Sequence, residues 1–192
     1  MNFAIPPIIG GVHGVATLED VLDSKVCQRI IDLQHISPRF KGAIQLKDKK
    51  KTEVVEDIRQ VETYIIHQRE EWVDQLLIEQ AMKANQQIYE YNLSGLIERP
   101  QLLKYKAGSR GYDWHMDIGN GDTSNRKLSC SIILNDEYEG GELQFFMQGV
   151  QTQTTIKGNI IMFSSFLSHC VTPITKGERW ALVAWFSGPQ FR

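Results

Sequence analysis

The chain is short of cysteine and proline, has no long apolar run and carries no basic excess, and each scarcity removes a class of protein. Its three cysteines, Cys27, Cys130 and Cys170, are odd in number and fall at no zinc or redox spacing. They read as reduced, mostly buried thiols, so a disulfide framework is not expected and a cytoplasmic location is. No stretch approaches the ~18–20 apolar residues that span a bilayer. Residues 1–14 contain Pro6-Pro7 and Gly10-Gly11 but no basic start, and are not expected to act as a signal peptide. A net charge of −2 supplies no attraction to nucleic acid or to an anionic membrane, and neither is expected as a partner. There is no internal repeat and no low-complexity tract.

What is present is ordinary globular material: 192 residues, 42% hydrophobic and 23% charged. That length suits one domain with a substantial core. Residues 1–98 read as a helical and strand support region and residues 99–188 as the core. A first helix is expected from an N-cap at Ser24, with Val26, Ile30, Ile31 and Leu33 as its apolar stripe, ending at Ser37-Pro38. Phe40 to Leu46 and Val54 to Ile66 read as strands, separated by a solvated charge run over Lys47–Lys51. His67 to Tyr91 follows a 3.6-residue apolar period through Trp72, Val73, Leu76, Leu77, Ala84 and Ile88, with Gly95 as terminator. From Arg99 the texture changes to short apolar runs between turn residues. Eight strands are predicted, over 101–106, 112–116, 128–134, 142–147, 153–156, 160–163, 168–173 and 180–186. This pattern is α+β, a sandwich or barrel with its helices gathered at the N-terminus on one outer face.

Three residues in the core half carry chemistry. His115-Met116-Asp117 is a His-x-Asp triplet in a strand-like run, and alternate residues of a strand share a face. His169 follows 52 positions after Asp117 on another such run. Two imidazoles and one carboxylate on one face, with the opposite side open, suit non-haem Fe(II). Arg179 comes ten positions later, on a strand expected to lie beside that of His169. A guanidinium there can grip the far carboxylate of a dicarboxylic acid. Histidines 13, 35 and 67 lack partners at ligand spacing and read as structural or surface residues.

With its flanks included, this half resembles the prolyl 4-hydroxylase-like branch of the Fe(II)/2-oxoglutarate dioxygenases. The flanks are Leu134-Asn135, the run Glu139-Gly140-Gly141-Glu142-Leu143 before a Phe pair, and Gly177 through Trp185. The resemblance implies a double-stranded β-helix, a jelly-roll or cupin-like barrel. It implies Fe(II), with 2-oxoglutarate and O₂ as co-substrates and ascorbate as a stimulant. It makes His115, Asp117 and His169 the iron ligands and Arg179 the anchor of the co-substrate. Tyr105 falls where relatives have a tyrosine touching that co-substrate, and Trp185 matches a pocket-lining tryptophan. Where some relatives have a second tyrosine this chain has Ile133, and Ser129 or Ser131 is the substitute hydroxyl. For the substrate the resemblance points to the loop from Gly119 to Arg126, with Asn120 and Arg126, and to Arg59. A second flap over Lys41–Thr52 is a weaker expectation. The function implied is hydroxylation of a prolyl residue in a peptide or protein. A free amino acid or other small molecule is the alternative substrate, and a binding module with a vestigial site is the non-enzyme alternative.

Overall fold

A computed structural model describes residues 14–41 and 61–190. Arg59, His13, the 42–52 stretch and the first part of the strand expected from Val54 lie outside the described residues. Two antiparallel sheets face each other. The larger is built on β7 (Arg126–Ile133) and β13 (Ile174–Ser187), the two strands with the most extensive pairing to each other. β11 (Ile160–Ser164) and β1 (Val15–Leu18) extend it on one side. β5 (Gln101–Lys106), β3 (Glu62–Ile65) and β2 (Arg39–Lys41) extend it on the other. Two short strands, β4 (Gly95–Leu96) and β8 (Tyr138–Gly140), also pair with β13. The smaller sheet runs β10 (Val150–Gln153), β9 (Leu143–Phe146), β12 (His169–Val171), β6 (Tyr112–His115).

β7 shows why the sandwich closes. It is buried along its whole length. Leu128, Cys130 and Ile132 turn outward into a cluster with Cys27, Ile30 and Ile31 of α1 (Ser24–Asp32) and Val73, Leu77 and Ala81 of α2 (Glu71–Ala84). Ser129, Ser131 and Ile133 occupy the opposite face, because successive strand residues alternate. A second cluster bridges the sheets, joining Ile161 and Phe163 of β11 to Leu143 and Phe145 of β9. Phe145 and Phe163 meet edge to face with centroids 4.9 Å apart. The expected double-stranded β-helix with its helices on one outer face is therefore what forms.

Several local expectations needed correction. Asp23, not Ser24, caps α1, its carboxylate accepting from the Val26 N–H at 2.8 Å. The second helix is shorter than the periodicity suggested. It starts at Glu71, widens to a π turn over Asn85–Tyr89, and stops at Glu90 in the left-handed region rather than at Gly95. The strand expected over Gln153–Ile156 lies earlier, at Val150–Gln153. β13 starts at Ile174 rather than Trp180; its polar first half pairs with the short β8 and then with the end of β5. Strands β1, β4 and β8 were not anticipated. Arg179 does not lie beside the strand of His169: β13 belongs to the larger sheet and β12 to the smaller, so the two residues face each other across the sandwich. Among the described residues no helix is long and apolar enough to cross a membrane.

Candidate metal centre

His115 ends β6 and His169 starts β12, and the two are direct cross-strand partners. Such partners share a face and lie close together; here the ring centroids are 4.2 Å apart. Asp117 lies just past the end of β6. Its backbone N–H donates to the Ser165 carbonyl at 3.0 Å, which turns the chain so that the carboxylate comes back toward both rings. One ligand atom from each of the three lies within 4.8 Å of the others. His115 Nε2 is 3.7 Å from Asp117 Oδ1, and His169 Nε2 is 3.7 Å from Asp117 Oδ2.

The backbone fixes which nitrogen each ring offers. His115 Nδ1 is 2.7 Å from the Asp113 carbonyl, and His169 Nδ1 is 2.9 Å from the Leu167 carbonyl. A carbonyl oxygen can only accept, so each Nδ1 carries the proton. Both Nε2 lone pairs are then aimed at Asp117, the tautomer a metal requires. Tyr112 stacks on His115 at 3.6 Å between centroids, and Phe163 packs edge-on to His169 at 4.6 Å.

Asp117 is held equally firmly. The Ser129 hydroxyl donates to Oδ2 at 2.7 Å and is itself 2.9 Å from the Ser165 hydroxyl. Burial pushes the carboxyl up, but the positive charge of His169 and His115 when protonated, with hydrogen bonds from Ser129 and the Trp185 indole, more than offsets this and leaves it below the usual carboxylate range. With both rings neutral, a bound cation would supply that charge instead. The ligand is therefore ready as an anion. Two neutral imidazoles and one carboxylate, converging from one side, are the donor set that fits Fe(II).

Across the sandwich, Arg179 is 1% exposed, with its Nε unbonded among the described residues. Its partner in register is Tyr105, equally buried, and the guanidinium carbon is 5.7 Å from the Tyr105 ring. A buried cation with an unfilled donor costs several kcal/mol by a rough estimate, so an anion is the natural occupant. Gly141 gives the side chain its room: a Cβ there would come 2.6 Å from Arg179 Cδ. The residues present thus fit a dicarboxylate as well as a metal.

The remaining expected residues separate into two groups. Ser131 and Ile133 lie on the same inward face as Ser129, opposite Val183 and Ala181 of β13. Trp185 pairs with Ser129 and is nine-tenths buried. Ser129 is already committed to Asp117, which leaves Ser131 as the candidate hydroxyl for the co-substrate. Asn120 is exposed at the head of the 3-10 turn Gly121–Asn125. Arg126 is not exposed on that loop. It is buried, grips both oxygens of Glu98, and lies over the Trp185 ring at 4.0 Å. Glu98, Ser165 and Tyr112 were missed from the sequence. Only Tyr112, three residues before His115, stood close enough to the motif to have been noticed.

Comparison with known proteins agrees with this geometry. Residues 100–187 match the model of the 2OG-Fe(II) oxygenase superfamily. A PKHD-type hydroxylase of Synechococcus sp. (strain CC9902) is 38% identical over 87 residues, 44% of this chain and 39% of that protein. A PKHD-type hydroxylase of Shewanella sp. (strain MR-7) is 34% identical over 95 residues, 45% and 42% of the two chains. The chain thus spans about two fifths of the length of these curated relatives. Two solved structures share the fold over nearly the whole chain. A Pseudomonas putida prolyl-4-hydroxylase has a TM-score of 0.70 at 21% identity, covering 92% of this chain and 94% of its own. A Trichoplax adhaerens prolyl hydroxylase, solved with a hypoxia inducible factor peptide fragment, has a TM-score of 0.73 at 19% identity, covering 91% and 83%. The similarity to that superfamily is confined to residues 100–187, the stretch that carries the three-residue cluster and Arg179.

Proposed function

We propose that the chain is an Fe(II)- and 2-oxoglutarate-dependent hydroxylase acting on a prolyl residue in a peptide or protein. The observation that carries this is the pairing of a three-donor cluster with a buried arginine on the facing sheet whose Nε has no partner among the described residues. Relatives named PKHD-type hydroxylases support the reaction, and a fold neighbour solved with a peptide supports an extended substrate. The three buried, unpaired cysteines support a reducing, cytoplasmic setting.

In this reading His115, Asp117 and His169 would hold the iron from one side. Three protein donors would leave room on the ion for the keto acid and O₂. Arg179 would bind the distal carboxylate of 2-oxoglutarate, with Tyr105, Ser131 and Trp185 lining the same cradle. Ser129 keeps Asp117 oriented and ionised, and Phe163 excludes water behind His169. Bound iron, 2-oxoglutarate and O₂ together supply the oxidising power that puts one oxygen atom into a substrate C–H bond, the other entering succinate as CO₂ leaves. Ascorbate would stimulate turnover by keeping the metal ferrous. Asn120, exposed three positions after Asp117, and Arg59, outside the described residues, are the proposed substrate contacts, on the family resemblance alone.

The test is mass spectrometry of proline-containing peptides, candidate proteins and free amino acids incubated with iron-loaded protein and 2-oxoglutarate. A +16 Da product on proline, with matching succinate, is expected from the peptides. The same gain confined to a free amino acid would move the reading to a small-molecule hydroxylase. No succinate from the iron-loaded protein with any substrate would leave only a binding module.

A further inference from the structure

Arg126 is spent on structure in a way that bears on the metal. Its Nη1 donates to the Asp117 carbonyl at 3.0 Å, and Nε donates to Glu98 Oε1 at 2.6 Å. Its Nη2 bonds the other oxygen of Glu98, and its guanidinium carbon lies 4.0 Å over the ring of Trp185. The two carboxylate contacts are the bidentate fork that only arginine makes. Asp117 and Arg126 bracket the loop that contains the turn Gly121–Asn125, so the Nη1 bond ties the two ends of that loop together at its base. Trp185, sandwiched against the same guanidinium, hydrogen-bonds the Asp117 carboxylate. One side chain therefore acts on the ligand twice: directly through its main-chain carbonyl, and indirectly through the indole that steadies its carboxylate.

We infer that Glu98 and Arg126 form a positioning pair for the metal ligand Asp117, and that Arg126 is not a substrate-binding residue. The inference rests on the metal reading above. Ligand-orienting partners typically contribute 10–100-fold in metal affinity. The pair also isolates the ligand: whatever the loop does at its exposed tip, its base is pinned to Glu98, which lies outside the loop and just before β5. Glu98 keeps 33% of its side chain exposed while Arg126 keeps 11%, so neutralising Glu98 leaves a solvated amide rather than a buried void.

The test uses the full chain and Co(II), whose binding is read from its visible absorption and by calorimetry with no turnover needed. Arg126→Met and Glu98→Gln are compared with the unaltered protein for Co(II) affinity, melting temperature and KM for a hydroxylated substrate. We expect Co(II) affinity to fall 10–100-fold in Arg126→Met and less in Glu98→Gln. KM for the substrate should stay unchanged at saturating metal, and Arg126→Lys should restore only part of the affinity because it lacks the fork. Unchanged Co(II) affinity in a folded Arg126→Met protein, or a raised substrate KM at saturating metal, would overturn the inference. If Arg126→Met does not fold, Glu98→Gln decides: unchanged affinity there overturns it. Failure of the unaltered protein to bind Co(II) at all would count against the metal reading itself, a separate result.

Discussion

The two imidazoles are committed by the main chain before any metal arrives. Because Asp113 and Leu167 offer carbonyls, the rings cannot choose the other tautomer without losing a bond at 2.7 and 2.9 Å. His115→Ala or Asp117→Ala is accordingly expected to abolish turnover and to weaken metal binding, measured as metal content after gel filtration. Arg179 belongs to a different step. Arg179→Ala should raise the KM for 2-oxoglutarate by at least tenfold, about 1.4 kcal/mol of binding, while leaving metal content unchanged; equal KM values would remove it from the cradle. Gly141→Ala places a methyl group against Arg179 Cδ at a positive φ of 65°. It should raise the same KM without touching any atom of the metal site. That His115, Asp117 and His169 converge was legible from residue type and order, since imidazoles and carboxylates have few uses inside a strand, whereas Tyr105 was named only through the family resemblance. Arg126 is buried where an exposed loop end was expected, and the reason is physical. An arginine at the end of a Gly- and Asn-rich loop looks solvated, and only the fold brings Glu98 and Trp185 to it.

At the scale of elements, β7 was read well because its apolar residues recur on one face and its small polar ones on the other. Its outward row packs on the helices, and Ile132 is fully buried within that row. Ile132→Ala should cost about 2–5 kcal/mol of stability, measured by urea unfolding; a loss under 1 kcal/mol would mean the helices do not seal that face. β13 was half missed because Thr175, Lys176, Gly177 and Glu178 lack the alternation of a buried strand. They are polar because the strands they pair with are the short β8 and the very end of β5. The placement of Arg179 across from His169, rather than beside it, is a matter of which strands pair at long range. Local pattern carries no information on that.

For the whole molecule, burial raises the thiols of Cys130, Cys27 and Cys170 and the phenols of Tyr89 and Tyr64 above their ordinary values. Tyr89 also donates to the Met162 carbonyl at 2.7 Å, tying the π turn to β11. Each of these groups is neutral when folded and ionises more readily when unfolded. Their contribution is complete below the unfolded values, about 8.5 for a thiol and 10 for a phenol, and is lost as pH rises beyond them. The melting temperature should therefore fall from about pH 8.5 upward. Tyr89→Phe should flatten the part of that fall above about pH 10, and an unchanged slope there would show that Tyr89 is not the buried phenol described. On the acid side Glu62 acts oppositely. Lys106 holds its carboxyl below the ordinary value, with the Tyr64 hydroxyl adding to the effect against some burial. That small contribution is present at neutral pH and fades as pH falls through the lowered value.

The claim on which everything else depends is a ferrous ion held by residues 115, 117 and 169 with a keto acid anchored by residue 179. Anaerobic calorimetry of 2-oxoglutarate into iron-loaded protein measures both halves at once. One equivalent should bind, the heat should vanish without metal or in Asp117→Ala, and affinity should drop with metal retained in Arg179→Ala. Equal binding of 2-oxoglutarate by the metal-free protein, or full binding in Asp117→Ala, would contradict the account.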